Sequence, residues 1–328
     1  MRQRSSLGAL DGQSSPAKAS THGPPTAMDR ARAPLARATR RGICRVMRIA
    51  IINGKVSPAE EARISVYDRG FLYGDSIFET VRTYNGKAFA LDDHLARLAR
   101  SAERVFIELP ATIEAIAAEV DQAIALAQNP ESFARIMITR GSGPLGLDPA
   151  LAQSPNRVIL VEPFVPPPPE AYENGIGAIT FRTVRATDAT PAAGAKVANY
   201  LTSVLAIREA RKQGATEAFI IDGRGRVLEG TTSNVFLVKE RRLVTAPEES
   251  GILSGITRAY LLRAAENLGV FVAIRDIGEQ ELLEADELFI SSTLREVLPV
   301  VRLDGRPVGS GKPGPLTRQI HAEFRRAT

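Results

Sequence analysis

Apolar and polar positions alternate in short runs from residue 47 onward, as they do in paired β-strands. The run RIAIING ends on Asn53-Gly54, and the run FETVRTYNG ends on Asn85-Gly86. Asn-Gly after an alternating run is a strong signal for a tight hairpin turn. We therefore expect two hairpins, completed by ARISVYD (62–68) and KAFAL (87–91), and then strands in FARIMITRG (133–141) and NRVILVEPF (156–164).

Apolar residues recur at helical spacing in five segments. In DDHLARLARSAERVF (92–106) they share one face, behind Asp92 or Asp93 as the N-terminal cap. Gly269 is expected to end one of the later helices, since glycine readily adopts the left-handed conformation found there. The other predicted helices are IEAIAAEVDQAIALA (113–127), NYLTSVLAIREARKQG (199–214), GITRAYLLRAAENLG (255–269) and GPLTRQIHAEFRR (314–326).

A proline-rich segment interrupts this succession of elements. Four consecutive prolines fit neither a helix interior nor a central strand, so residues 165–170 are predicted to form a stiff, extended linker. Strands are predicted again beyond it, in GIGAITFRTV (175–184), EAFIID (217–222), VLEGTTSNVFLV (227–238) and ELFISS (287–292). The pattern therefore predicts two domains of mixed α/β and α+β character, at 47–164 and 171–328.

The composition is that of an ordinary globular protein. The chain has 328 residues, 44% of them hydrophobic and 24% charged, which suffices for one large domain or two ordinary ones. It contains no run of about 18 uninterrupted apolar residues, so no membrane span is predicted. The single cysteine, Cys44, excludes an internal disulfide. That agrees with a reducing compartment, and we expect the protein in the cytoplasm.

Positive charge is concentrated at the N-terminus. Of the net charge of +5, residues 1–46 contribute +7, from nine basic and two acidic side chains, so the remaining 282 residues carry about −2. We therefore expect no nucleic-acid partner for the body of the protein. The tail is rich in Ser, Ala, Pro, Gly and Arg, which predicts disorder, and it lacks the apolar core of a secretory signal. Its composition is also that of organelle transit peptides, whereas a start codon mis-assigned upstream of Met47 would account for all of it.

Few residues suit histidine-based or metal-based chemistry. His22 lies in the tail and His321 on the last predicted helix, which leaves only His94. The sequence therefore predicts neither a His-centred triad nor a metal site. The run GSGPLG (141–146) has the glycines of a phosphate loop, but it lacks the following Lys-Ser/Thr and the G-x-G-x-x-G helix context, so no nucleotide site is predicted.

Six blocks, in a defined order, carry more information than any single motif. They are DRGFLYGDSIFETVRTYNG (68–86), HLARL (94–98), KVANYL (196–201), EGTTSNVF (229–236), SGITR (254–258) and SSTLREVLPV (291–300). In order and spacing they resemble the class IV aminotransferases, which use pyridoxal 5′-phosphate. The resemblance runs from about residue 47 to the C-terminus. Members of that family include branched-chain amino acid aminotransferases, D-amino acid aminotransferases and aminodeoxychorismate lyases, and the pattern is most similar to the branched-chain enzymes.

The resemblance implies the architecture of a fold type IV enzyme. A small N-terminal α+β domain (47–164) would precede a larger, β-barrel-like domain with helices (171–328) that binds the cofactor. The resemblance also implies a homodimer, with the site between the two domains and closed by a loop of the partner subunit. Residues 141–149 are our candidate for that loop.

Pyridoxal phosphate needs an amine for its aldehyde, a carboxylate at its ring nitrogen and donors for its phosphate. Lys196 matches the family's Schiff-base lysine, which also acts as general base and needs a pKa lowered by burial. Glu229 matches the carboxylate that keeps the ring nitrogen protonated, and Arg97 matches the phosphate arginine. The other matched contacts are Tyr200 for the ring oxygen, Ile256 and Thr257 at a helix N-terminus, and the donor pair Ser292 and Thr293.

Substrate choice depends on other residues. Phe133-Ala134-Arg135 stands where branched-chain enzymes have Tyr-x-Arg, and a Gly-Leu-Asp-Pro block follows at 146–149. By resemblance, Arg135 would bind the substrate α-carboxylate with its two parallel N–H groups. The supporting residues would be Tyr73 and Arg82 for the carboxylate, and Phe78, Phe133 and Leu147 for an apolar wall.

Some positions depart from the branched-chain pattern. Thr80 replaces a glycine that leaves room beside the substrate, and Phe133 lacks the tyrosine hydroxyl. Leu145 and Leu147 take the places where D-amino acid enzymes carry an Arg and a His that hold the carboxylate, which argues against that group. Tyr200 stands where lyases often show Arg.

The sequence therefore predicts a ping-pong transaminase of branched-chain amino acid biosynthesis. It would move the amino group of L-leucine, L-isoleucine or L-valine to 2-oxoglutarate through Lys196. Two alternatives stay open. One is aminodeoxychorismate lyase activity, which eliminates pyruvate to give 4-aminobenzoate, and the other is transamination of D-amino acids or other amines.

Overall fold

A computed structural model describes residues 47–184 and 190–328. The predictions for residues 1–46 lie outside this part of the chain. The first half contains β1 (Ile49–Ile52), β2 (Lys55–Pro58), α1 (Arg69–Tyr73), β3 (Ser76–Tyr84), β4 (Lys87–Ala88), α2 (Leu91–Arg104), α3 (Ile113–Ala127), β5 (Ser132–Thr139) and β6 (Asn156–Pro163).

The second half alternates between strands and helices in the same way. It contains α4 (Pro169–Glu173), β7 (Ile176–Arg182), α5 (Leu201–Lys212), β8 (Glu217–Ile221), β9 (Val227–Gly230), β10 (Asn234–Lys239), β11 (Arg242–Thr245), α6 (Ile256–Asn267), β12 (Val272–Ile274), α7 (Glu279–Leu283), β13 (Glu287–Ser292), β14 (Glu296–Leu303), β15 (Arg306–Pro307) and α8 (Pro315–Arg326).

The strands β1 to β6 form one antiparallel sheet in the order β2-β1-β6-β5-β3-β4. Both predicted hairpin turns are confirmed, with φ of 51° and 53° at Asn53 and Asn85. The predicted strand at 62–68 is wrong, because the chain returns at once as β2. Pro58 ends that strand, since it has no N–H to donate further along the ladder, and a 3₁₀ turn follows.

The two faces of this sheet have different roles because side chains alternate along a strand. One face carries Ile77, Val81 and Ile136, which are buried beneath α2 and α3. The opposite face therefore carries Phe78 and Arg135. The helix predicted behind Asp92 or Asp93 begins two or three residues earlier, with Ala90 as its N-cap, so both aspartates lie in its first turn.

The proline-rich segment is extended only up to Pro168. Helix α4 begins at Pro169, where the missing proline N–H costs nothing because the first helical N–H groups have no intrahelical partner. The predicted linker at 165–170 is therefore shorter than expected. The two sheets lie on either side of this segment in the sequence, and the proposed domain boundaries stay a prediction.

The strands β7 to β15 form a mixed sheet in the order β12-β11-β10-β13-β14-β7-β8-β9, with β15 paired to β14. Helices α6 and α8 pack on β13, and α5 packs on β7 and β8. The segment VLEGTTSNVFLV, predicted as one strand, is divided into β9 and β10 by a turn at Thr231, Thr232 and Ser233. The expected helix end at Gly269 is confirmed by its φ of 64°.

Within residues 47–184 and 190–328, no helix is both long and apolar enough to cross a bilayer. The same residues contain no group of three or more His, Cys, Asp or Glu side chains arranged to hold a metal ion.

Candidate active site

A cavity of about 310 Å³ opens where several element ends converge. Its walls come from the segment before α5, the end of β9, the start of α6 and the turn between β13 and β14. The eight residues that the sequence assigned to the cofactor all line this cavity: Arg97, Lys196, Tyr200, Glu229, Ile256, Thr257, Ser292 and Thr293.

Lys196 is held against the first sheet by its backbone. Its carbonyl accepts a hydrogen bond from Phe78 N at 3.0 Å, and its N–H donates to Ser101 Oγ at 3.1 Å. Lys196 Nζ lies 4.6 Å from the centroid of the Phe78 ring. Burial lowers the pKa of the Lys196 amine to about 8, although the negative charge of Glu79 opposes that shift. A neutral amine is therefore accessible near physiological pH.

Glu229 and Tyr200 line the same cavity as the lysine. Glu229 stands near the end of β9, and its Oε2 accepts a hydrogen bond from Leu253 N at 3.1 Å. The Tyr200 ring packs edge-on against Phe78, with 5.3 Å between the centroids. Burial, together with the negative charge of Glu229, raises the pKa of the Tyr200 phenol to about 12, so the phenol keeps its proton.

A buried carboxylate that the sequence did not single out orients Arg97. Glu79 accepts from Arg97 Nε and Nη2, both at 2.7 Å, and from His94 Nδ1 at 2.8 Å. Burial by itself would raise the pKa of Glu79, but the charge and hydrogen bonds of Arg97 outweigh it and bring that pKa to about 2. Arg97 Nη1 also donates to the carbonyl of Ser254 at 2.7 Å, just before α6. The HLARL block showed the arginine, but nothing in the sequence pattern paired it with Glu79.

Helix α6 begins at the cavity, as predicted, with Ile256 as its first residue. Its N-cap is Gly255, which has no side chain to cap the first-turn amides. A β-carbon at Gly255 would lie 2.0 Å from Asn234 Oδ1, so the close approach of the helix start to β10 requires glycine. The uncapped amides and the helix dipole together form a site suited to an anion.

The sequence profile of the amino-transferase class IV family matches residues 76–303. The chain belongs to the class IV aminotransferases. The putative branched-chain-amino-acid aminotransferase of Methanocaldococcus jannaschii is 37% identical over 274 residues, covering 84% of this chain and 94% of the relative. The D-alanine aminotransferase of Bacillus licheniformis is 34% identical over 270 residues, covering 82% of this chain and 93% of the relative.

Solved structures show the same fold. The branched-chain amino acid aminotransferase of Escherichia coli has a TM-score of 0.80 at 31% identity and covers 85% of this chain and 94% of that one. A second branched-chain amino acid aminotransferase, determined with pyridoxamine 5′-phosphate, also has a TM-score of 0.80, at 30% identity, and covers 85% of this chain and 93% of its own. The predicted family, fold class and enzyme type are therefore confirmed.

Two of the substrate residues predicted for this aminotransferase, Arg135 and Phe78, lie beside the cavity. The Arg135 guanidinium lies 3.8 Å from the centroid of the Phe78 ring, the same ring that Lys196 contacts. Burial lowers the pKa of Arg135, and within the described part of the chain no carboxylate pairs with its guanidinium. A half-buried, unpaired cation next to the lysine is suited to binding a carboxylate.

The structure does not bring the other four predicted substrate residues to this cavity: Tyr73, Arg82, Phe133 and the exposed Leu147. Arg82 pairs with the buried Glu296, with 2.8 Å between Nη1 and Oε1, so its charge is already satisfied. Phe133 lines a second cavity, of about 370 Å³, at the proline-rich segment. The Tyr73 hydroxyl accepts a hydrogen bond from Gly146 N at 3.1 Å in the 141–149 loop.

The residues of the cavity fit the cofactor of the class IV aminotransferases, which are pyridoxal phosphate enzymes. Lys196 contributes an amine with a lowered pKa, Glu229 a carboxylate, and the start of α6 a set of uncapped amides beside Arg97. An amine, a carboxylate and an anion site around one cavity are the three groups that this cofactor requires.

Proposed function

We propose that the aminotransferase transfers the amino group of branched-chain L-amino acids to 2-oxoglutarate, with pyridoxal 5′-phosphate in the Lys196 cavity. The observation that carries this proposal is the meeting of Lys196, Glu229 and the start of α6 around one cavity. The names of the Methanocaldococcus jannaschii relative and of the Escherichia coli structure support the branched-chain substrate class.

In this proposal each cavity residue has one role toward the cofactor. Lys196 would hold its aldehyde, Glu229 its ring nitrogen and Tyr200 its ring oxygen. Arg97 would hold the phosphate, and the other phosphate donors would be Ile256, Thr257, Ser292 and Thr293. When bound, the cofactor supplies an electron sink for the carbanion that forms at the substrate Cα.

Lys196 would move the proton that the reaction displaces. With a pKa of about 8, its amine can accept the proton from the substrate Cα. The ammonium formed in this way can then donate that proton again on the same side of the cavity. The Phe78 ring, 4.6 Å from Nζ, keeps that side apolar and limits the access of water. Glu79 opposes the effect of burial, so the amine keeps enough basicity to act.

Arg135 would bind the substrate α-carboxylate, since no described carboxylate pairs with it. Thr80 lies directly across from Arg135 in the β3–β5 pair and bounds the space for the substrate side chain. The Phe78 ring supplies the apolar wall. A branched aliphatic side chain of the substrate fits the space between Thr80 and this wall. Its burial against the Phe78 ring is favourable without any hydrogen-bond partner.

Transamination of D-alanine is the second candidate. The Bacillus licheniformis relative, a D-alanine aminotransferase, is 34% identical to this chain. Against this candidate, Leu145 and Leu147 cannot donate hydrogen bonds to a carboxylate, and both side chains are exposed.

We also propose a homodimer in which the 141–149 loop of one protomer closes the cavity of the other. Arg69 donates to the carbonyls of Gly146 and Leu147, at 2.8 and 3.1 Å, so the loop is held while its leucines face outward. Large apolar side chains are exposed on this loop and on the segment before β3 that meets it at the Asp68–Ser142 bridge: Ile64, Val66, Tyr67, Phe71, Leu145 and Leu147. Exposed apolar groups of this kind are typical of an interface. The two-domain division and the cytoplasmic location stay predictions.

The proposal is tested with half-reactions of the purified protein. The visible absorbance of the lysine-bound cofactor is followed after addition of L-leucine, D-alanine or aminodeoxychorismate. We expect L-leucine to bleach it rapidly, whereas bleaching by D-alanine alone, or release of 4-aminobenzoate, would overturn the branched-chain assignment. Lys196→Ala should lose this absorbance and the activity, while Lys239→Ala, an exposed lysine, should keep both.

A further inference from the structure

Arg295 ties together three elements around the cofactor cavity. Its Nη1 donates to Glu217 Oε2 at 2.8 Å, its Nη2 to Thr232 Oγ1 at 2.8 Å, and its Nε to Ser292 Oγ at 3.2 Å. Glu217 begins β8, Thr232 lies in the β9–β10 turn, and Ser292 ends β13. One guanidinium therefore sets the distance between two turns that line the cavity.

The buried carboxylate of Glu217 holds this guanidinium in place. Its side chain is fully buried, and its carboxylate also accepts from Thr231 N at 3.0 Å, Thr231 Oγ1 at 2.5 Å and Ser233 Oγ at 3.1 Å. Burial by itself would raise the pKa of Glu217, but the Arg295 charge and these hydrogen bonds lower it, so the carboxylate is ionised. A buried ion pair with its remaining acceptor sites filled has one preferred geometry.

These hydrogen bonds determine whether each hydroxyl can donate or only accept toward the cavity. A hydroxyl has one hydrogen to donate and two lone pairs that accept. The Ser292 and Thr232 hydroxyls accept from Arg295, so each keeps its hydrogen for another partner. Both residues line the cavity, and within the described residues neither hydroxyl donates elsewhere in the protein.

The hydroxyls on the Glu217 side have the opposite polarity. Thr231 and Ser233 give their hydrogens to the carboxylate, so toward the cavity they can only accept. The ion pair thus divides four neighbouring hydroxyls into donors and acceptors. The donors, Thr232 and Ser292, are the ones suited to an anion.

We propose that Arg295, held by the buried Glu217, is a positioning residue that turns the Ser292 and Thr232 hydroxyls into donors for the phosphate of the bound cofactor. This inference rests on the proposed function, since it assumes that the cavity binds pyridoxal phosphate. It assigns Arg295 no contact with the cofactor. Its effect reaches the phosphate through the two hydroxyls alone.

The test compares two ligands that differ only in the phosphate. The full chain, freed of cofactor, is titrated with pyridoxal phosphate and with pyridoxal, and binding is followed by absorbance. In Arg295→Met, whose side chain donates no hydrogen bond, we expect affinity for pyridoxal phosphate to fall by about ten-fold or more, the effect of losing oriented hydrogen bonds to a charged group. Affinity for pyridoxal should change less than about two-fold. Inorganic phosphate should compete with pyridoxal phosphate more weakly in this variant.

Arg295→Lys keeps the charge against Glu217, but one ammonium cannot reach both hydroxyls in a fixed fork. We expect a smaller loss, again confined to the phosphorylated ligand, and this variant decides the question if Arg295→Met does not fold. Arg275→Gln, which removes an exposed ion pair with Glu281, is the matched control and should bind as the wild type does.

Equal losses for both ligands would mean a purely structural role, and no loss would mean no role. Either result overturns the inference. If the wild-type chain itself does not bind pyridoxal phosphate, the proposed function fails instead, so the two failures are distinguishable.

Discussion

The carboxylate of Glu79 and the guanidinium of Arg97 form a two-bond ion pair, with both N–O distances at 2.7 Å and both side chains buried. The pair lies between the first sheet and the start of α6, because Arg97 also donates to the Ser254 carbonyl. The same carboxylate contributes the largest charge effect on Lys196 and raises the pKa of its amine. Glu79 therefore couples the orientation of Arg97 to the basicity of Lys196.

Glu79→Gln should lower the pKa of Lys196 below its value of about 8, because the opposing negative charge is removed while burial remains. The measurement is the rate at which an amine reagent labels Lys196 in the cofactor-free chain, as a function of pH. The midpoint should move to lower pH. We also expect a loss of about 3 kcal/mol in the free energy of unfolding, the typical cost of removing one partner of a buried ion pair.

Glu114→Gln is the control for this substitution, since Glu114 is exposed on α3, away from the cavity. It should leave the labelling midpoint unchanged and cost at most about 1 kcal/mol of stability, the effect of one carboxylate in the first turn of a helix. An unchanged midpoint in Glu79→Gln would show that Glu79 does not set the basicity of Lys196.

Acid should destabilise the protein through Glu296. Burial by itself would raise its pKa, but hydrogen bonds from His321 and Arg325, together with the Arg325 charge, lower it from 4.5 to about 2. Arg82 and Tyr84 face the same carboxylate. Because the folded-state pKa is the lower one, the stabilisation is complete above about pH 4.5 and is lost as the pH falls toward 2.

Urea unfolding of Glu296→Gln at several pH values checks this expectation. The variant should be about 3 kcal/mol less stable than the wild type at about pH 6, and the difference should shrink as the pH approaches about 2. Glu323→Gln, which affects a partly exposed ion pair on α8, should differ little at any pH. A constant difference for Glu296→Gln across the pH range would exclude the titration of this carboxylate as its cause.

Gly255→Ala should weaken cofactor binding. Its β-carbon would lie 2.0 Å from Asn234 Oδ1, so the start of α6 and the Asn234 side chain, which also holds the Leu253 carbonyl, must move apart. We expect affinity for pyridoxal phosphate to fall by about ten-fold, the loss of roughly one charge-assisted hydrogen bond. Gly223→Ala, where a β-carbon meets nothing within 4 Å, is the control in the same titration. Equal affinities in the two variants would contradict the anion site at α6.

Arg135→Gln should raise the KM for the amino acid substrate by about 10- to 100-fold, the range expected for losing a hydrogen-bonded charge partner. The stability of the cofactor-free chain should not fall, because Arg135 pairs with no described carboxylate and its burial is unfavourable to its charge. Arg302→Gln, an exposed arginine on β14, should leave KM unchanged. If Arg135→Gln lowered stability and left KM intact, the arginine would be structural.

Local signals in the sequence determined the position of many elements. The Asn-Gly turns define the hairpins because both turn residues adopt positive φ at little cost. The start of α6 at Ile256 followed from the family blocks. The strand predicted at 62–68 was wrong because periodicity alone does not distinguish a paired strand from an extended segment that passes over the surface.

The sequence by itself determined that Lys196, Glu229, Arg97 and the donors near Thr257 and Ser292 belong together, since each sits in a block whose order is that of a known family. Only the tertiary structure decided their partners. The two partners of each ion pair are separated by 18 or more residues in sequence: Glu79 and Arg97, Glu217 and Arg295, and Arg82 and Glu296. Charge pairing depends on distance in space and on burial, neither of which a linear pattern contains. For that reason Arg82, predicted to help bind substrate, instead pairs with Glu296, while Arg135 keeps its charge beside the lysine.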